Sequence, residues 1–146
     1  MSMTGLDVFD KTIHKTMNWL KDLEFELDCR DQPDKAYRAL RNTLQSLRDR
    51  MPPEEAAHLG AQLPMLVRGI FYEGWNPAHK PEKIDKKAFL SQIRDQFSDE
   101  PAVSAETVAR AVFKMIAHRV DSGEIEDVRQ VLPKELSDLW PHDPNT

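Results

Sequence analysis

Apolar residues recur at intervals of three and four along most of the chain and do not alternate one by one, so the pattern predicts helices and no strands. The first stripe is Leu6, Phe9, Ile13, Met17, Leu20, Leu23 and Leu27, the expected buried face of an amphipathic helix. A second helix starts near Pro33, whose fixed φ suits a first helical position. It turns Ala36, Leu40, Leu44, Leu47 and Met51 inward and ends at Pro52 and Pro53. Glu54 to Gln62 forms a short helix that Pro64 stops, and a further helix runs from Pro64 to about Glu73. Gly74 to Asp85, which contains Pro77 and Pro81, breaks the spacing and reads as a linker. Helical spacing then returns in Phe89, Leu90, Ile93 and Phe97. Ser104 follows as a cap ahead of a helix carrying Val108, Val112, Ile116 and Val120.

The second part of the chain repeats the first. Leu63-Pro64 recurs as Leu132-Pro133, an offset of 133 − 64 = 69 residues, and residues 36 to 71 slide onto 105 to 140 without a gap. Few residues are identical, but positions 36, 39, 40, 44, 47, 51, 56, 59, 63, 67, 70 and 71 are apolar in both halves at helical spacing. A chance match would align one helix and would not hold three consecutive helices and a proline in step. The expected fold is therefore all-α: one domain of two tandem, pseudo-symmetric four-helix units. Unit one spans about 5–75, the linker about 76–84 and unit two about 85–140. The matched apolar faces are expected to bury against each other about an approximate two-fold, with Leu63 and Leu132 turned inward at helix corners.

Composition narrows the function more than it defines it. At 146 residues the chain can bury a full core without staples. Its net charge of −5 creates no global field attractive to nucleic acid or an anionic membrane. The single cysteine, Cys29, excludes an intrachain disulfide framework and points to a reducing cytoplasm. No secretory leader is legible at the N-terminus, and no apolar run approaches the roughly 18 residues of a membrane span.

Two strings carry a family likeness. LRDRMPPEEAAHLGAQLPMLVRGIFYEGW, from Leu47 to Trp75, and GEIEDVRQVLPKELSDLW, from Gly123 to Trp140, contain the duplicated Leu-Pro after a Glu-rich short helix and the RGIFYEGW stretch. With these the chain resembles a bacterial family catalogued as domain of unknown function number 2267. The resemblance implies an all-helical domain without an established activity, and it supplies no catalytic residue.

Candidate chemistry is sparse. Glu55 and His58 have the Glu-x-x-His spacing of half a di-iron bundle site, with Glu124 and Asp127 as the corresponding pair. Both glutamates also fall at the third helical position, where a carboxylate caps free N–H groups, and capping is the reading we adopt. Neither a metal nor a cofactor is expected. Cys29 lies in a charged turn without a nucleophile signature, and no G-x-S-x-G, G-x-x-x-x-G-K or G-x-G-x-x-G is present. Arg38, Arg41 and Arg48 lie on one side of the second helix and form a weak candidate anion stripe.

The stronger candidate is an interaction surface at the junction between the halves: Arg68, Tyr72, Glu73, Trp75 and His79, where aromatic and ionic groups crowd a helix end. Trp75 lacks a counterpart in the second half and is either a seam residue or a binding anchor. The expected function is a non-enzymatic cytoplasmic interaction or regulatory module with a protein partner, without membrane or nucleic-acid binding. The alternative is a protein, or an enzyme, that takes a small organic ligand in a pocket between the two units.

Overall fold

The computed structural model describes residues 3–78, 85–97 and 99–141. Among them are eight helices and no strand: α1 (Asp7–Glu26), α2 (Pro33–Arg48), α3 (Pro53–Ala61), α4 (Met65–Tyr72), α5 (Lys86–Asp95), α6 (Ala105–Arg119), α7 (Ser122–Val131) and α8 (Lys134–Ser137). The boundaries follow the expected breakers. Pro33 opens α2, Pro64 and Pro133 stand at the N-caps of α4 and α8, and the Ser104 side chain accepts the Thr107 N–H at the start of α6. Asp28 and Asp31 turn the chain between α1 and α2 in the left-handed region, where a short polar side chain is tolerated.

The core is continuous. α2 packs against α1, α4, α5 and α6, and α6 in turn packs against α1 and α5, while α3 lies against α7. Both members of every apolar pair in the 69-residue register are buried, except that Ala105, the first residue of α6, is only half-buried. Leu63 and Leu132 are both inward. The starts of α3 and α7 (122 − 53 = 69) and of α4 and α8 (134 − 65 = 69) keep the same offset. An aromatic column crosses the second half: Phe89 stacks on Phe113 at 5.9 Å, and Phe113 on Trp140 at 4.0 Å with the rings 7° from parallel.

Two sequence expectations are corrected. The stripe on α1 is not buried along its length, because burial begins at Thr16 and runs through Trp19, Leu20 and Leu23. Leu6, Phe9 and Met17 remain 49%, 48% and 41% exposed. A 20-residue helix is about 30 Å long, and the N-terminal turns of α1 overhang the helices it packs on. The second correction concerns α2, which is not a helix with one wet face. Four neighbours enclose it, so Asn42, Thr43, Ser46 and Arg48 are buried beside its leucines. These polar groups cost free energy unless they are hydrogen-bonded. Ser46 Oγ donates to Phe89 O at 3.2 Å and Arg48 to Phe71 O at 2.9 Å, and Gln45, at the edge, donates to Ile70 O at 2.9 Å. Thr43 Oγ1 is buried without a hydrogen-bond partner among the described residues.

Candidate functional site

The junction at the end of α4 is built by the side chains beneath it. Arg48 Nη1 donates to the carbonyls of Phe71 (2.9 Å) and Glu73 (2.8 Å), which α4 leaves without helical partners at its C-terminus, and Nη2 pairs with Asp49 at 2.7 Å. Gly74 then takes φ 77°, a conformation that favours glycine, and the chain turns so that Trp75 N–H reaches Tyr72 O at 3.0 Å. This brings the Trp75 ring onto Tyr72, at 5.4 Å and 19° from parallel, and the Phe71 ring lies 5.1 Å from Tyr72, tilted by 57°. The Tyr72 phenol lies over Gly60, where a Cβ would collide with it.

Of the five junction residues, Tyr72 and Trp75 are therefore half-buried and packed against the core, and Glu73 is exposed. Arg68 gives Nε to Gly60 O and Nη2 to Leu63 O, both at 2.9 Å, so that its charge sits at the negative C-terminal end of α3. His79 lies outside the described residues. Trp75→Ala is expected to lower stability by about 2 kcal/mol, below the roughly 3–5 kcal/mol of a fully buried Trp, because the ring keeps one face in solvent; urea denaturation reads the loss.

The three arginines of the candidate anion stripe are not brought together. Arg38 is engaged by Glu100 (2.8 Å), Asp99 (3.5 Å) and Asp34 (3.6 Å) and lies over the Phe97 ring, and Arg48 is buried beneath the end of α4. Arg41 donates to Asn42 Oδ1 at 3.3 Å. Residue spacing placed them on one side of a helix, but neighbouring elements engage Arg38 and Arg48 separately, and Arg41 turns to the next residue of its own helix.

Glu55 and Glu124 face the contact between α3 and α7, and neither caps its helix. The N-cap of α3 is Pro52, which has no N–H for Glu55 to accept from; Glu55 instead lies 3.7 Å from His58 Nδ1. On α7 the cap is Asp121, whose carboxylate accepts from Gly123 and Glu124 N–H. Glu124 Oε1 is buried without a hydrogen-bond partner. Among the described residues no group of three or more His, Cys, Asp or Glu side chains is arranged to hold a metal. Burial pushes the Cys29 thiol up, which favours the un-ionised form.

Burial, and after it Asp127, also pushes the Glu124 carboxyl above its ordinary value of 4.5; Glu55 and Asp121 add to the shift and His58 opposes it. The folded chain thus holds this proton more tightly than the unfolded chain. Ionising Glu124 costs stability at neutral pH, and the cost disappears as pH falls through the raised value toward 4.5. Glu124→Gln is expected to be more stable than the wild type at pH 7, with the difference shrinking on acidification over that window. Paired urea titrations check it, since the other carboxylates are common to both chains.

Two further features are absent from the sequence reading. One is the exposed face of α1, formed by Leu6, Phe9 and Met17, with Met65 and Leu66 of α4 nearby, where Thr12 Oγ1 accepts the Leu66 N–H at 2.9 Å. The other is a cleft bordered by Lys15, Arg68 and Arg119. Thr16 and Trp19 signal the first: their burial turns the inward side of α1 away from the Leu6–Met17 line. No sequence signal marks the second, because its three cations come from separate helices.

A family model, Uncharacterized conserved protein (DUF2267), matches residues 16–139. The chain belongs to this family. DUF2267 membership agrees with the all-helical fold and brings no assigned activity. The match begins at Thr16, where α1 first becomes buried, so Leu6, Phe9 and Ile13 lie outside it. No curated protein matches the chain. No described helix is long and apolar enough to cross a membrane.

Proposed function

We propose that this DUF2267 protein is a non-enzymatic interaction module that pairs with a second copy of itself through the N-terminal half of α1. The observation that carries the reading is the face made by Leu6, Phe9 and Met17, which stays 41–49% exposed on a helix whose later turns are buried. Contiguous apolar surface of this kind is the ordinary mark of a contact face. Charge supports self-association in the antiparallel sense. The first turns of α1 carry Asp7 and Asp10, and the same flank carries His14 a turn later. Two copies related by a two-fold across the stripe bring the carboxylates of one beside the imidazole of the other and oppose the helix dipoles. The lone buried Cys29 supports a reducing, cytoplasmic setting. We further propose that the chain is a repeat of two four-helix units, supported by the shared 69-residue offset of helix starts and buried apolar positions.

Sedimentation equilibrium tests the pairing. The wild type is expected to be a dimer at tens of micromolar. Phe9→Asp, which charges an exposed position, is expected to be monomeric, with an unfolding midpoint equal to that of the wild type diluted to where it too is monomeric. A wild type that stays monomeric at several hundred micromolar overturns the reading.

A further inference from the structure

Between α1, the Leu63–Pro64 corner and the end of α6 lies a cleft of about 490 Å³. Its charge is one-sided. Lys15 of α1, Arg68 of α4 and Arg119 of α6 line it, and no carboxylate does, in a chain whose net charge is −5. Arg119 is paired with Asp22, its Nε at 2.9 Å from Oδ2. Lys15 has no ion pair among the described residues, and Arg68 spends its hydrogen bonds on two backbone carbonyls. Three cations against one carboxylate leave an excess of two positive charges around the opening.

We propose that this cleft binds the phosphate group of a small organic phosphate ester. A phosphate monoester carries about −1.5 to −2 charge near pH 7 and several acceptor oxygens, which matches the excess charge and the unused guanidinium and ammonium donors. Arg68 is pre-organised, because its bonds to the Gly60 and Leu63 carbonyls lock the guanidinium in place and, among the described residues, leave Nη1 without a hydrogen bond and the charge without a carboxylate. The positive end of the α4 dipole adds to the field, since Pro64 and Met65 border the cleft; one of its first N–H groups, that of Leu66, is already accepted by Thr12 Oγ1. Gln62 offers an amide at the rim, while Trp19 and Pro64 form an apolar wall for the organic part of the ester. The volume lies within the roughly 300–1,000 Å³ of small-molecule sites. The inference is independent of the pairing proposed for α1.

Isothermal titration at constant ionic strength tests it, with phenyl phosphate as the probe and inorganic phosphate and benzoate as controls. Phenyl phosphate is expected to bind saturably, one per chain, more tightly than inorganic phosphate and at least tenfold more tightly than benzoate. Lys15→Gln changes an exposed side chain and is expected to weaken phenyl phosphate at least tenfold without moving the unfolding midpoint; Arg119→Gln is expected to weaken it similarly. Absence of saturable heat overturns the proposal. So does benzoate binding as tightly as phenyl phosphate, or an affinity unchanged in the Lys15→Gln, Arg119→Gln double variant.

Discussion

Trp140→Ala is expected to lower the stability of the folded chain by about 3–5 kcal/mol, the range for truncating a buried Trp. The indole is 1% exposed and lies face to face on Phe113, which is itself backed by Phe89, so its removal opens a cavity bordered by a rigid ring held in place from behind. The column joins α5, α6 and the segment after α8, and the truncation therefore loosens three elements at once. Trp140 Nε1 is buried without a hydrogen-bond partner. Trp140→Phe retains most of the stack and removes that unpaired donor, so its loss is expected to fall well below the alanine value. Urea denaturation of the two variants separates ring packing from the cost of the unmet N–H.

Arg48→Ala is expected to cost a similar amount, about 3–5 kcal/mol, the range for removing one partner of a buried charged group. Arg48 is 6% exposed, and its guanidinium holds the carbonyls of Phe71 and Glu73 together with the Asp49 carboxylate. Without it the buried Phe71 carbonyl is left unmet, a penalty of about 1–3 kcal/mol, while the Glu73 carbonyl, at an exposed residue, turns to water. Arg48→Met fills the volume of the aliphatic stem without donating, and it is expected to recover only the packing share. Equilibrium denaturation gives the ordering wild type, Met, Ala. A methionine variant as stable as the wild type would show that the four hydrogen bonds of Arg48 contribute nothing net.

Arg48 also shows why the outline of this fold is legible along the chain and its sites are not. Helix boundaries are local: a proline lacks an N–H and restricts the residue before it, so Pro33, Pro52, Pro53, Pro64 and Pro133 mark starts and stops wherever the rest of the molecule lies. Ser104 and Gly74 act within one turn in the same way. The buried apolar positions are nearly as local, because a period of three and four selects one side of a helix, and the 69-residue register chose its inward residues correctly except at Ala105.

Which side of a helix meets which neighbour, and for how many turns, is a property of the assembled bundle. Periodicity continues through Leu6, Phe9 and Met17, yet α1 extends past its partners at Leu6 and Phe9, and at Met17 the buried side is that of Thr16 and Trp19, so all three stay in solvent. Arg38, Arg41 and Arg48 share a helix side but separate into an ion-pair cluster with the segment after α5, a contact with the neighbouring Asn42, and a buried cap on the end of α4, because the surroundings of α2 change along its length. Lys15, Arg68 and Arg119 are distant in sequence and line one cleft. Capping and periodicity act over one or two turns and are written residue by residue. Enclosure, overhang and convergence of charge depend on long-range packing, which a single helix does not encode.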